Sequence, residues 1–508
     1  MKAPKRIAAV LKSRYFFLGV LIFFVIEAAW IALSALYPMA FDENFHFGII
    51  KIYSHHWLPF LASQPPQADA YNAVFRDPSY MYHYLMSFPY RLISLITPSQ
   101  IAQVISLRFI NIGLFTAALI LFRKLLLKAH TPQALANLSI LLFVLIPIVP
   151  QLAGQINYDN LIMLLVPWAS LLTLMAIDEI NGRQPSVKTW LYLATLCVMT
   201  SIVKYEFLPI FLAIVLFLAV TAGKSFRGQW RKLADGIAKS WRQQKLYTKF
   251  VLIILFAISL GLFAQRDGVN LVKYHSFTPS CSAVLSVKRC EAYGPWTANH
   301  RRHLKLEHRQ TPATFMDPVS YTGIWLYWLW YRLFFAVNGV TSHFKNYPPL
   351  PLPAAGALVI GLAGLILTVR WWRQVFSSSY LQFFLMACLI YLAALWSVGY
   401  SQYKYTHVLV LMNGRYLLPI LLLLAAIMAK SFGIALKNLP NLRKVVAIAA
   451  ILLFIEGGGV LTFIARSDAS WYWHNHTVIQ VNQTAQKIIK PIILEGKRTY
   501  STKVWFLN

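Results

Sequence analysis

Apolar runs of about 20 residues recur along the whole chain, parted by short segments in which lysine and arginine concentrate. This feature constrains the fold more than any other. Inside a bilayer no water is at hand for an unpaired N–H or C=O, so each run has to satisfy its own backbone by coiling into a helix. The expected fold is therefore all-α, a polytopic helical membrane protein. Composition agrees, since 13% of the residues are charged, against about 25% in an ordinary soluble domain. The first run lacks a small-residue cleavage site and is long enough to span, so it reads as a span rather than a cleaved leader. The formal net charge of +30 does not point to nucleic acid. Most of the cations sit between the runs, where they orient helices.

The asymmetry of those cations sets an expected topology of about eleven spans. The basic N-terminal segment KAPKRIAAVLKSR belongs on the cytoplasmic side. A first span at about 15–38 then places a loop at about 39–103 outside, and a second at about 104–122 returns to RKLLLK inside. Further spans fall at about 134–150, 158–177, 189–203, 207–223 and 250–266, then at about 354–370, 380–398, 414–430 and 444–465. The most basic loop, KSFRGQWRKLADGIAKSWRQQKLYTK, lies inside, and a long outer loop covers about 267–353. Within that loop YTGIWLYWLWYRLFFAV (321–337) is long enough to cross, but counting it would put RWWRQ (370–374) outside. It reads instead as an interfacial or re-entrant helix, whose Trp and Tyr suit the headgroup region. Residues 1–465 thus form a multi-span domain and residues 466–508 an external tail.

A charge at membrane depth costs about 2.5–3.5 kcal/mol or more, so polar residues near span ends are informative. Those away from the cytoplasmic ends gather on the outer side. Asp42, Glu43 and His46 open the first outer loop, and Arg76 and Asp77 lie further along it. Asp159 sits in the second loop, Lys204 and Glu206 in the third, and Arg415 at the mouth of the tenth span. Any one alone is explained as an interfacial charge reaching for water. Together they describe a polar cavity for an anionic ligand. If the segment after the first span is helical, Asp42 and His46 share a face and Glu43 neighbours His46. A carboxylate there can act as general base toward a hydroxyl, with the histidine orienting it or sharing a metal ion. The alternative is a plain helix start, in which Asp42 is the cap.

YPMAFDENFHFGII resembles the first-loop acidic motif of the GT-C superfamily of membrane glycosyltransferases, where an Asp-Glu pair follows the first span. RDPSYMYHYLMSFPYRL resembles their Pro-containing, Tyr-rich stretch that closes the same loop, and GQINYDNLIM their second-loop acidic stretch. SIVKYEFLPIF resembles their Lys-aromatic turn between two spans, and NGRYLLPI the Gly-Arg-Tyr-x-x-Pro segment of a bacterial branch. The resemblance touches most of the chain, in order and on one side of the membrane. It implies a GT-C type glycosyltransferase in the plasma (inner) membrane, working at its outer, periplasmic face. The implied donor is a polyprenyl-phosphate sugar, and the acceptor is a lipid-linked, glycan or protein group.

Carried over residue by residue, the resemblance makes Asp42 the catalytic base, supported by Glu43 and His46, and Asp159 a second carboxylate. Arg415, Lys204 and Arg76 would hold the donor phosphate, and Tyr80, Tyr82, Glu206 and Tyr416 would line the pocket. A divalent cation, Mg or Mn, would sit on Asp42, Glu43 and Asp159. Arginine's planar fork and lysine's compact charge suit phosphate, and preformed cations stabilise the dianion that leaves. One departure from the pattern is Arg76-Asp77-Pro78-Ser79, where some relatives carry a lysine before the prolines.

The outer loop at 267–353 matches nothing in that pattern. Cys281 and Cys290 could pair there in an oxidising compartment, whereas Cys197 and Cys388 fall inside spans as apolar filler. In HRRHLKLEHR, the spacing of His300, His303 and Glu307 could present one face to a metal, against a solvated or acceptor-binding basic face. Two other classes also use lipid-linked sugars. A transporter or flippase would show internal symmetry and discontinuous helices, and neither is evident in the sequence. A surface-polysaccharide ligase or polymerase relies on Arg and His in a large outer loop, which HRRHLKLEHR supplies. The early Asp-Glu pair and Asp159 favour the glycosyltransferase, since a ligase has no evident need of them.

Overall fold

The computed structural model describes residues 9–39, 42–308, 315–334, 352–467 and 469–493. The basic start of the chain at 1–8, residues 335–337 of the aromatic segment and the tail beyond 493 lie outside those residues. The protein is all-α and polytopic. Among the described residues there is no strand, only an isolated antiparallel bridge between Ala35 and Tyr472.

In chain order the helices are α1 (Arg14–Ser34), α2 (Glu43–Tyr53), α3 (Met81–Ile96), α4 (Gln100–Lys128), α5 (Gln133–Val144) and α6 (Ile148–Ala153). Then come α7 (Asp159–Asn181), α8 (Val187–Val203), α9 (Leu208–Ser225), α10 (Trp230–Gln243), α11 (Leu246–Phe263) and α12 (Gly294–Glu307). The last are α13 (Pro318–Phe334), α14 (Leu352–Arg370), α15 (Ser379–Thr406), α16 (Leu418–Ala435), α17 (Pro440–Ile455), α18 (Val460–Arg466) and α19 (His476–Ile489). Nine stretches among the described residues are long and apolar enough to cross a membrane, and α5 and α8 are shorter apolar helices at two further expected positions. The expected eleven therefore divide into nine and two. α5 stops before Pro147, and α8 stops at Lys204, which adopts an extended backbone. α11 runs on through a π-turn and a last helical stretch to Tyr274, well past the expected end near 266.

Two spans are interrupted, which the sequence did not make evident. α5 gives way to α6 across residues 145–147, and α17 to α18 across Glu456-Gly457-Gly458-Gly459. The two breaks meet. Gly459 N–H donates to the Leu145 carbonyl (2.6 Å), and Val460 N–H donates to the buried carboxylate of Glu27 on α1 (3.0 Å). Gly459 has φ +55°, and a Cβ there would stand 1.8 Å from Glu27 Oε1. Glycine is therefore required twice over, by conformation and by space.

The segment between α1 and α4 folds back on the spans, and Glu43 ties it down. Its fully buried carboxylate accepts from Arg108 Nε (2.8 Å) and Nη2 (2.7 Å) on α4. It also accepts from the backbone N–H of Met39 (2.8 Å) and Ile156 (3.1 Å). Arg108 turns Nη1 to the carbonyls of Ala32 (2.9 Å) and Ala35 (2.7 Å) at the end of α1. The Trp473 ring lies 5.5 Å from the guanidinium, on a residue whose backbone N–H donates to the Ser34 carbonyl. α19 adds to this cover, since Asn482 bonds Trp30 and Ser34 on α1. A carboxylate offers about four acceptor positions, and here all are occupied by donors. That satisfaction makes a pair with no solvent contact tolerable.

Breaking the pair leaves an uncompensated charge in the interior. Glu43→Ala should therefore destabilise the fold by about 3–5 kcal/mol, read as a large drop in the detergent melting midpoint. The double variant Glu43→Gln/Arg108→Met should recover part of the loss, because coupled partners are not additive. A parent-like midpoint in Glu43→Ala would return this residue to the reactive groups.

Candidate active site

Four helix ends bring the polar residues together. Asp42 holds the N-cap position of α2 with φ 69° and ψ 27°, a left-handed conformation that aspartate tolerates better than most residues. Its side chain makes no capping bond. It is 62% exposed and reaches Arg415 Nη2 at 3.1 Å. Asp42 is thus a cap by position and an ion-pair partner by bonding.

Asp159 opens α7 from a turn built by the amides of GQINYDN. Asn157 accepts from the Asp159 N–H (2.9 Å), and the Asn160 amide donates to Asn111, the Leu152 carbonyl and the Gln155 carbonyl. Lys204 closes α8 and is followed by the 3-10 turn Tyr205–Phe207, with proline in the first turn of α9. Arg415 lies in the 3-10 turn Gly414–Leu417, with proline in the first turn of α16. Asn413 caps that turn by accepting from Arg415 N–H (3.1 Å). A Cβ on Gly414 would stand 2.5 Å from the Leu333 nitrogen, so only glycine lets the turn pass this close to α13. KYEFLP and GRYLLP therefore share one design: a cation at a helix end, an aromatic beside it, and a proline that starts the next helix.

The charges interlock. Lys204 Nζ lies 2.6 Å from Asp159 Oδ1 and 2.8 Å from Glu206 Oε2, and Arg415 Nε lies 3.8 Å from Asp159 Oδ2. The Tyr416 ring is 5.2 Å from both cations, the Tyr158 ring is 4.7 Å from Lys204, and Arg415 Nη2 donates to the Tyr416 hydroxyl (3.4 Å). Aromatic faces add about 2 kcal/mol or more to a desolvated cation. Lys204, Arg415 and Asp159 are buried, Glu206 is part-buried, and Asp42 is the member most open to solvent. Three carboxylates thus face two cations, and α13 brings a third, Arg332, whose backbone touches Gly414 and whose guanidinium lies over Trp328.

His46 goes elsewhere than Asp42. It is buried and stacked on His83 of α3, with Nδ1 2.9 Å from His83 Nε2, and its ring meets Tyr158 edge-on at 4.5 Å. It borders the charge cluster through Tyr158 and shares no face with the Asp42 carboxylate. Burial pushes His46 well below its ordinary pKa, with His83, Arg415 and Lys204 adding to the shift. Burial also pushes His83 down to about 3. His83 was not singled out in the sequence.

Several expectations need correcting. Glu43 belongs to the Arg108 pair and offers no lone pair to a substrate or a metal. The implied divalent cation on Asp42, Glu43 and Asp159 does not fit this donor set, because each carboxylate is engaged by a different cation. Among the described residues no three of His, Cys, Asp and Glu gather as a metal would need. Tyr80 and Tyr82 are fully buried and offer no surface to a pocket. The Tyr80 hydroxyl bonds the Leu262 carbonyl beneath Arg266, and the Tyr82 hydroxyl bonds Asn111. Arg76 stacks on Phe75 and reaches the Gln265 carbonyl, away from Arg415. In the basic loop His303 pairs with Glu307 while His300 stacks on Trp296, so the three do not converge. The cysteines stand as expected: Cys281 and Cys290 are joined, and Cys197 and Cys388 are buried and form no disulfide.

A second charged group escaped the sequence reading. Arg266 and Asp267 sit in the π-turn after α11 and are both buried. Arg266 donates to the carbonyls of Val74 (3.1 Å) and Asp77 (2.9 Å), which clamps the segment before α3 onto the end of α11. The signal was available: FAQRDGVN places two charges at the end of an apolar run.

The sequence matches no protein-family model and no curated protein. A distant likeness exists to solved structures of the Archaeoglobus fulgidus oligosaccharyltransferase. One, tethered to an acceptor peptide containing the NVT sequon, has TM-score 0.43 and 12% identity over 97% of this chain and 61% of that one. Another, AglB with an inhibitory peptide and a dolichol-phosphate, has TM-score 0.43 and 14% identity over 96% of this chain and 61% of that one. A third, with Zn and sulfate, has TM-score 0.42 and 13% identity over 95% and 59%. The chain spans about three fifths of the length of those proteins. At that distance the likeness carries no argument about activity.

The His46–His83 pair gives a signed prediction. The unfolded chain takes up protons at these residues below about pH 6.5, and the folded pair resists them. Stability from this source is complete above about pH 6.5 and falls as the pH drops toward about 3. The melting midpoint in detergent should fall between pH 7 and pH 5, and His83→Phe should flatten that slope relative to the parent. Equal slopes would mean that the pair is not held neutral.

Proposed function

We propose that the protein is a membrane glycosyltransferase that moves a sugar from a polyprenyl-phosphate donor to a lipid-linked, glycan or protein acceptor at the outer face of the plasma membrane. The observation that carries this reading is the exposed Asp42 carboxylate set 3.1 Å from the buried guanidinium of Arg415, with the Lys204–Asp159–Glu206 group behind it. A base that meets solvent and a cation that does not, side by side at converging helix ends, suit a reaction that removes a proton and releases a phosphate.

In this mechanism an acceptor hydroxyl attacks the anomeric carbon, the bond from that carbon to the phosphate oxygen breaks, and polyprenyl phosphate leaves as a dianion. Asp42 takes the hydroxyl proton. Arg415 and Lys204 stand ready for the negative charge that builds on the phosphate, and being buried and already oriented they need no rearrangement to act. With Arg332 beside them, three carboxylates meet three cations, and the resting cluster is formally neutral. A phosphate entering there competes with Asp42 for the Arg415 fork. The donor would thus release the base as it binds. Proton uptake by Asp42 would then offset the charge arriving on the phosphate.

A second reading has its own observation. The breaks at 145–147 and 456–459, meeting at Glu27, are discontinuous helices of the kind that transporters use. They favour a flippase of lipid-linked sugars. The backbone groups freed at the breaks bond each other and Glu27, and they form no line of charges with the Asp42 cluster, so the transferase remains the better reading.

Asp42→Asn tests the base without disturbing a cap, because the side chain makes no capping bond. With a melting midpoint equal to the parent's, sugar transfer from a polyprenyl-phosphate sugar should fall about 10²–10⁴-fold. Near-parental turnover would move the base to another residue. Arg415→Lys keeps the charge and loses the planar fork, and should weaken donor use strongly. Full transfer in Arg415→Ala would remove that residue from the site. Lipid flipping by acceptor-free proteoliposomes, unaltered in Asp42→Asn, would favour the flippase.

A further inference from the structure

We propose that α10 is an interfacial helix that binds the headgroups of anionic phospholipids at the end of the bundle opposite the charge cluster. Its tethers place it there. α9 ends at Ser225 and α11 begins at Leu246, so residues 226–229 and 244–245 are all that join α10 to two apolar spans. At about 3.5 Å per residue those links reach about 14 and 7 Å, too short for the helix to leave the membrane surface.

The sequence of α10 divides cleanly. At 100° per residue, Trp230, Leu233, Ala234, Ile237, Ala238 and Trp241 occupy one half of the helix. Arg231, Lys232, Asp235, Lys239 and Arg242 occupy the other. The boundary between the halves rests on the protein. A Cβ added at Gly236 would meet Pro185 at 3.0 Å, Ser240 Oγ accepts from the Val187 N–H (3.1 Å), and Leu233 packs beside Phe226. Docked by this edge, the helix turns its apolar half outward, and none of its residues is buried. Trp230 is 56% exposed. The acyl boundary of a leaflet is the occupant that fits an apolar half flanked by tryptophans on a helix lying in the membrane plane.

The polar half then lies at the depth of the headgroup phosphates. None of Arg231, Lys232, Lys239 and Arg242 has a carboxylate partner among the described residues. With Lys224, Arg227, Lys245 and Lys249 the segment carries eight cations against the single Asp235. Orienting the flanking spans requires cations near their ends. It does not require them to be sorted onto one face of a helix, opposite a face with tryptophan at both ends. Sorting of that kind is what binding to an anionic surface selects. The proposal stands apart from the reaction at Asp42.

The test uses the full-length protein purified in detergent, with phosphatidylglycerol or phosphatidylcholine added and bound lipid counted by native mass spectrometry. The parent should retain phosphatidylglycerol over phosphatidylcholine by at least about fivefold, and added salt should erode the preference. The variant R231Q/K232Q/K239Q/R242Q, which alters exposed side chains only, should keep the parent's melting midpoint and lose most of the preference. No preference in the parent, or the same preference in the variant, overturns the proposal. A second measurement needs no loss of charge: Ala238→Cys labelled with a fluorophore and reconstituted in vesicles of 3:1 phosphatidylcholine to phosphatidylglycerol. Brominated acyl chains should quench the label, and an unquenched label would place α10 in water and overturn the proposal as well.

Discussion

The buried pair of Glu43 and Arg108 is the constraint on which the rest of this structure depends. Both groups are removed from solvent, and the pair is tolerable only because every acceptor position of the carboxylate and several donors of the guanidinium are matched. Those partners come from the end of α1, from α4 and from the turn before α7. The placement of the site follows. Asp42 is the residue before Glu43, and Asp159 stands three residues after Ile156, whose N–H is held by the same carboxylate. One interior ion pair therefore sets the positions of two carboxylates that are far apart in sequence. A glutamate that resembles a reactive group in the sequence is the anchor for its neighbour.

Burial in the cluster is graded. Lys204, Asp159 and Arg415 are inside, over the faces of Tyr158 and Tyr416, while Asp42 reaches solvent. The inner members are rigid, because each is bonded to charged or aromatic partners and sits at a helix end fixed by a proline or an amide cap. Asp42, in a left-handed backbone conformation and without a capping bond, is the member whose side chain is free to change partner. Such a gradient suits proton transfer at the rim and phosphate binding further in.

Much of this was legible in the sequence. Spans could be read from apolar runs because the bilayer forbids any other use for them. Asp42, Asp159, Lys204, Glu206, Arg415 and Tyr416 could be read as one group because charge at span ends has few places to go. The rest was hidden for physical reasons. Arg108 lies within an apolar run, and a lone cation there demands a carboxylate, but nothing local says that Glu43 is the one. Tyr80 and Tyr82 look like pocket residues until their hydroxyls are seen bonded to Leu262 and Asn111. The broken spans escaped because IPIVP and EGGG read as weak punctuation, while the partners that satisfy the freed backbone, Glu27 and Leu145, are distant in sequence.

In the proposed mechanism Arg415 and Lys204 receive a lipid phosphate beside Asp42. The most direct measurement is a structure with a polyprenyl monophosphate bound. Phosphate oxygens should lie within hydrogen-bond distance of Arg415 and Lys204, with the Asp42 carboxylate released from Arg415 and turned toward open solvent. A phosphate bound elsewhere, with the Asp42–Arg415 pair intact, would contradict it.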